Sequence, residues 1–90
     1  MVIWGSGPVG KAMSRALRGA GVPLAAFVDL DPRKIGQEIH GAPVVGPSEG
    51  IRYDRALHLA AVGQKGARGR IVGLLEEAGK RPMEDFVAVA

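Results

Sequence analysis

The sequence predicts a small α/β domain built on a doubly wound parallel sheet. Three observations carry this. Short apolar runs alternate with helical patterns along the whole chain, as strands do when crossover helices separate them. The first run, Val2–Trp4, breaks into Gly5-Ser6-Gly7-Pro8-Val9-Gly10, and a helical pattern follows at once. The second run ends on Asp29, about 20 residues further on, the separation at which a strand-end carboxylate returns to the same crevice.

Each element has a local reason. Val2–Trp4 is apolar without alternation, as a strand covered on both faces should be. In the helix that follows, Val9, Met13, Ala16, Leu17 and Ala20 form one stripe, with Lys11, Ser14, Arg15 and Arg18 off it. Pro8 suits the first helical position, and Gly19 and Gly21 bracket the stop. Residues 24–28 form the second strand. Asp31-Pro32 reads as a helix start that Gly36 cuts short. Residues 38–45 read as two short extended pieces around Gly41-Ala42, with Pro43 placing its piece at a sheet edge. Residues 46–50 are a loop with room for one helical turn. Residues 56–62 form the next buried strand, and Gln64-Lys65-Gly66 a loop. The second long helix carries Ala67, Ile71, Leu74, Leu75 and Ala78 on one stripe and stops at Gly79. Residues 85–89 close the sheet. Ligands of such sheets bind beyond the C-terminal strand ends, where the winding reverses. Gly5–Gly10, Asp29 and Val62–Gly66 are expected to meet there.

Ninety residues give one domain, 1–90, with no space for a second that would hold a substrate. The chain is therefore expected to be a piece of a larger protein, a binding module beside a partner enzyme, or one copy of a homo-oligomer that completes the site. A strand starting at residue 2 favours the first. The absence of cysteine excludes disulfides and thiolate chemistry and fits a cytoplasmic protein. No apolar run reaches the length of about 18 residues that a membrane span needs, so no membrane partner is expected. A net charge of +3, spread along the chain without a dense basic run or aromatic set, argues against nucleic acid as a partner.

The glycine spacing is that of a dinucleotide-binding turn. Gly5 permits the tight turn, Gly7 lets a pyrophosphate approach the backbone, and Gly10 lets helix and strand pack closely. Ser6, Pro8 and Val9 complete the cradle, and the helix N-terminus offers N–H groups and partial positive charge. Asp29 would accept hydrogen bonds from the ribose hydroxyls. Its charge favours NAD over NADP. Arg33 could stack on adenine, while Val62, Gly63 and Lys65 would line the ribose or second phosphate. Asp29 and Asp31 can equally do no more than initiate the next turn. His40 and His58 read as structural, and neither has a partner at a metal or catalytic spacing. No metal ligand set and no catalytic constellation is visible.

On Val2–Gly10, Phe27–Lys34 and Gly36–Gly46 the chain resembles the Rossmann-like N-terminal domain of bacterial sugar O-acyltransferases. Nucleotide-sugar dehydratases, CoA-binding domains and redox-sensing repressors share parts of this pattern. Residues 61–63 through 85–90 look similar to a Rossmann-like module appended to some bacterial family 2 glycosyltransferases. The resemblance implies a small-molecule nucleotide ligand: NAD, a UDP-sugar or CoA. The left-handed β-helix of the acyltransferases and the DNA-binding helical domain of the repressors are not in the sequence, and Gly50 stands where a helix former is usual. The resulting expectation is a module that binds NAD(H), part of or companion to a sugar-modifying or redox enzyme. A fragment of an NAD-dependent oxidoreductase and a fold-only oligomerisation module are the alternatives.

Overall fold

A computed structural model describes residues 1–63 and 65–89, with the side chain of Lys65 also outside the described set. The chain runs β1 (Val2–Trp4), α1 (Pro8–Gly19), β2 (Ala26–Val28), β3 (Glu38–Ile39), β4 (Ala42–Val45), α2 (Pro47–Gly50), β5 (His58–Ala60), α3 (Lys65–Glu77) and β6 (Phe86–Ala88). The sheet order is β3-β4-β2-β1-β5-β6. Every pairing is parallel except β3 with β4. β1 lies at the centre, in register Val2↔Ala26 on one side and Val2↔His58 on the other. The winding reverses across β1, as the alternation of elements predicts.

Two half-cores explain the unbroken apolarity of the central strands. Val2, Trp4, Val28, Ala60 and Phe86 point to one face and pack with Ile71 and Leu75 of α3. Ile3, Phe27, Val44 and Leu59 point to the other and meet Val9, Met13 and Leu17 of α1. Both faces are thus covered, and neither needs polar alternation. α1 and α3 stop alike. Val22 N–H reaches Leu17 O and Lys80 N–H reaches Leu75 O across Gly21 and Gly79, both at positive φ. This is the Schellman geometry that glycine favours.

Four local expectations are corrected. The segment after Pro32 is a run of turns rather than a helix; Asp29 and Asp31 each accept the N–H two residues on and wind the chain too tightly for a helix start. Pro43 lies on β4, inside the sheet, with the two-residue β3 outside it. Pairing of β4 with β2 begins only at Val44, so the missing N–H of Pro43 loses no ladder bond. The single helical turn expected in residues 46–50 is the four-residue α2, and its last residue is glycine because a Cβ there would overlap Val28. Ser14, expected off the apolar stripe, is fully buried within α1 and bonds to His40 Nδ1 at 2.9 Å, which fits the structural reading of His40. His40 and Gly41, both at positive φ, make the two-residue turn between β3 and β4 and deliver the imidazole to Ser14. Of the expected loop 64–66, Gln64 lies outside the described residues, while Lys65 and Gly66 open α3.

Candidate functional site

A cleft of about 280 Å³ opens at the C-terminal ends of β1, β2 and β5. The glycine turn forms its base, Asp29 one wall, and Val62 and Gly63 the other. Gly5 can only be glycine. Its φ is +114°, and a Cβ would press into Val62 and the Ala61 carbonyl. Gly10 lies beneath the cleft, where a Cβ would overlap the Gly5 carbonyl oxygen. Its lack of a side chain therefore sets the closeness of helix and turn. Gly7 is different. It is the N-cap of α1 in extended conformation, and a Cβ there would meet nothing within 4 Å. No side chain caps α1 and Pro8 follows, so the first-turn N–H groups have no intrahelical acceptor and the positive helix end opens on the cleft.

Asp29 reaches across from β2. Its Oδ2 accepts Ser6 N–H at 3.0 Å and also the Ser6 hydroxyl. Its Oδ1 accepts Asp31 N–H at 2.9 Å, and Lys34 Nζ stands 3.9 Å from Oδ2. Burial is the largest influence on this carboxyl and pushes its pKa up. The Ser6 and Asp31 bonds with the Lys34 charge outweigh it, and the net direction is below the ordinary 3.8. Asp29 is therefore an anion at neutral pH.

The structure brings Gly5, Ser6, Gly7, Pro8, Val9, Asp29, Val62 and Gly63 to one cleft. It does not bring Arg33, whose side chain is 89% exposed and paired with Asp31 at 3.1 Å. The turn at 32–36 points the neighbouring Lys34 into the cleft instead. Sequence reading missed Lys34, since nothing in an Arg-Lys pair says which one a turn will face inward. The role given to the Lys65 side chain falls outside the described residues. Asp29 and Lys34 are the titratable groups among the described residues that line the cleft. No group of three or more His, Cys, Asp or Glu that could hold a metal occurs among the described residues, and no helix there is long and apolar enough to cross a membrane.

The chemistry of the second polar cluster differs. His58 is fully buried on β5. The Trp4 indole N–H, which can only donate, lies 2.9 Å from His58 Nδ1. The ring proton must then sit on Nε2, which donates to the Tyr53 carbonyl at 2.8 Å. Burial, first, pushes the imidazole pKa below its ordinary 6.5; the Tyr53 carbonyl and Asp85 act the other way, while Lys80 and the amino terminus add to the depression.

No protein-family model matches the chain, and no curated protein does. Solved structures do. The chain superposes on RSP, a Rex-family repressor, with a TM-score of 0.71 at 18% identity, covering 97% of this chain and 49% of that one. RSP in complex with β-NADH gives 0.69 at 18% identity, over 99% and 52%. RSP in complex with β-NAD+ and operator DNA gives 0.70 at 18% identity, over 98% and 48%. The fold is Rossmann-like. Likeness at this identity is likeness of fold, and the chain spans about half the length of these neighbours. They do not bear on the resemblance to acyltransferase and glycosyltransferase modules. The exclusion of nucleic acid is corrected: the third neighbour was solved on operator DNA.

Proposed function

We propose that residues 1–90 form a nucleotide-binding domain that takes NAD(H) at the cleft beyond β1, β2 and β5. The observation that carries this reading is the pairing of an open, uncapped helix end at Gly7 with an anionic carboxylate at Asp29. The first suits a pyrophosphate. The second suits a ribose diol and repels a 2′-phosphate. Lys34 adds a cation on the same wall. The neighbours solved with β-NADH and β-NAD+ support the same ligand. A volume of 280 Å³ is at the low end of small-molecule sites, which span about 300–1,000 Å³. It suits the adenosine half, with the nicotinamide half reaching beyond the cleft toward another domain or another copy.

The neighbour carrying both β-NAD+ and operator DNA favours a nucleotide-responsive regulator as the parent over a sugar-modifying or redox enzyme. Calorimetry against NAD+, NADH, NADP+, a UDP-sugar and CoA tests the ligand. At 100 times its dissociation constant a ligand stabilises by about 2.7 kcal/mol, and NAD(H) should give the largest shift. No shift with any of the five at millimolar concentration would sink the binding reading. Asp29→Ala should weaken NAD+ far more than pyrophosphate; equal losses would remove Asp29 from the ribose role.

A further inference from the structure

The acceptor capacity of Asp29 is nearly spent. An ionised carboxylate offers about four lone-pair sites on its two oxygens. Oδ2 already takes two donors from Ser6, and Oδ1 takes Asp31 N–H. One site remains, on Oδ1. A ribose brings two adjacent hydroxyls, and holding both requires two sites. The Asp29 side chain is only 13% exposed, so water does not widen the choice.

The three donors are not equivalent. The Ser6 and Asp31 N–H groups belong to backbone turns fixed by the strand ends, and Gly5 N–H is tied to the Val28 carbonyl just before them. The Ser6 hydroxyl is the tip of a rotor. Ser6 lines the cleft while only 2% exposed, and of the three donors its hydroxyl is the one that can rotate about χ1 without moving backbone. It also makes the charge-assisted bond that a ribose hydroxyl would make.

We propose that the Ser6 hydroxyl is a displaceable latch on Asp29, occupying the place of one ribose hydroxyl until a diol-bearing nucleotide turns it away. This rests on the NAD(H) reading of the cleft. Ser6 is then a specificity-determining residue. It lowers the affinity for a ribose with both hydroxyls and narrows the gap between that ligand and one lacking a hydroxyl. A ligand held through its phosphates alone leaves the latch closed.

The test uses NAD+ and its 2′-deoxyadenosine analogue, with wild type and Ser6→Ala, by calorimetry. In the wild type the two ligands should bind within about threefold, since the bond gained is offset by the Ser6 bond broken. In Ser6→Ala, NAD+ should tighten by about tenfold and the analogue much less. A structural role alone would move both ligands together. Ser6→Gly serves if the alanine variant does not fold, and the wild-type ratio stands without any variant. A wild-type preference for NAD+ of about 30-fold or more, an unchanged ratio in the variants, or weaker NAD+ binding on loss of the hydroxyl would overturn the latch. NAD+ binding with an unaltered ratio removes the latch alone. No NAD+ binding to wild type removes the ligand reading as well.

Discussion

Trp4 and Ser6 stand on either side of Gly5, and each holds a titratable side chain from a distant strand. Trp4 holds His58 inside the core. One donor meets Nδ1, Nε2–H meets one carbonyl, and the imidazole is sealed and neutral. Ser6 holds Asp29 at the rim, where a charge persists, Lys34 approaches and one acceptor site is left over. The difference lies in the donor and acceptor count. Where it closes in the dark, the cluster is part of the fold, since an unpaired buried polar group costs about 1–3 kcal/mol. Where it stays open beside a cleft, the cluster has capacity for a ligand.

The largest effect that would break this contrast is at the hinge between the two clusters. Gly10→Ala pushes a Cβ into the carbonyl of Gly5, the residue between Trp4 and Ser6. It should destabilise by about 3 kcal/mol, a drop in Tm of roughly 15 °C for a domain this size. A drop under roughly 5 °C would show that the helix can slide away from the turn.

Acid should separate the clusters next. The His58 pKa is depressed in the folded chain, so the folded state binds fewer protons than the unfolded state. Its contribution is complete above the ordinary 6.5 and is lost as pH falls toward the folded value, at up to about 1.4 kcal/mol per pH unit. Asp29 is depressed from 3.8 and its contribution fails only below that value. Denaturant unfolding followed by the fluorescence of Trp4, the sole tryptophan, between about pH 7.5 and about pH 5.5 reads the first window alone. A flat profile there would mean that protonated His58 is tolerated against the indole N–H.

Gly7→Val should have the smallest effect on the fold, within about 0.5 kcal/mol, because its φ of −82° and the open space around it accept a side chain. The same change should abolish NAD+ binding by filling the cradle. Tight residual binding would contradict the placement of the pyrophosphate at the helix end.

Much of this was legible in the sequence. The alternation of runs sets a parallel sheet with β1 central, and the glycine spacing with Asp29 marks the cleft. Periodicity registers which face is apolar, and spacing registers where a chain must turn. Neither registers the direction in which a turn sends two adjacent cations; that Lys34 and not Arg33 lines the cleft is set by the turn alone. Nor does a helical wheel show that Ser14 faces inward to meet His40 from a hairpin turn 26 residues away. Trp4 and His58 each read as core, but their hydrogen bond required the register Trp4↔Ala60, which places His58 one pleat below on the same face. Gly50 within α2 and Pro43 within the sheet were not legible because their tolerance is set by a neighbour, Val28 in one case and the late start of the β2 ladder in the other.

The central position of β1 also orders assembly in time. Its bonds to β2 close a short span, with Ser6 and Asp29 23 residues apart, whereas Trp4 and His58 are 54 apart. Chain-closure entropy favours the shorter span first, by about 0.8 kcal/mol for these lengths. The β1–α1–β2 unit, which carries the glycine turn and Asp29, can therefore condense while residues 58–60 are still loose. The half that carries the cleft's glycine turn and Asp29 forms early, and the tryptophan–histidine contact arrives late.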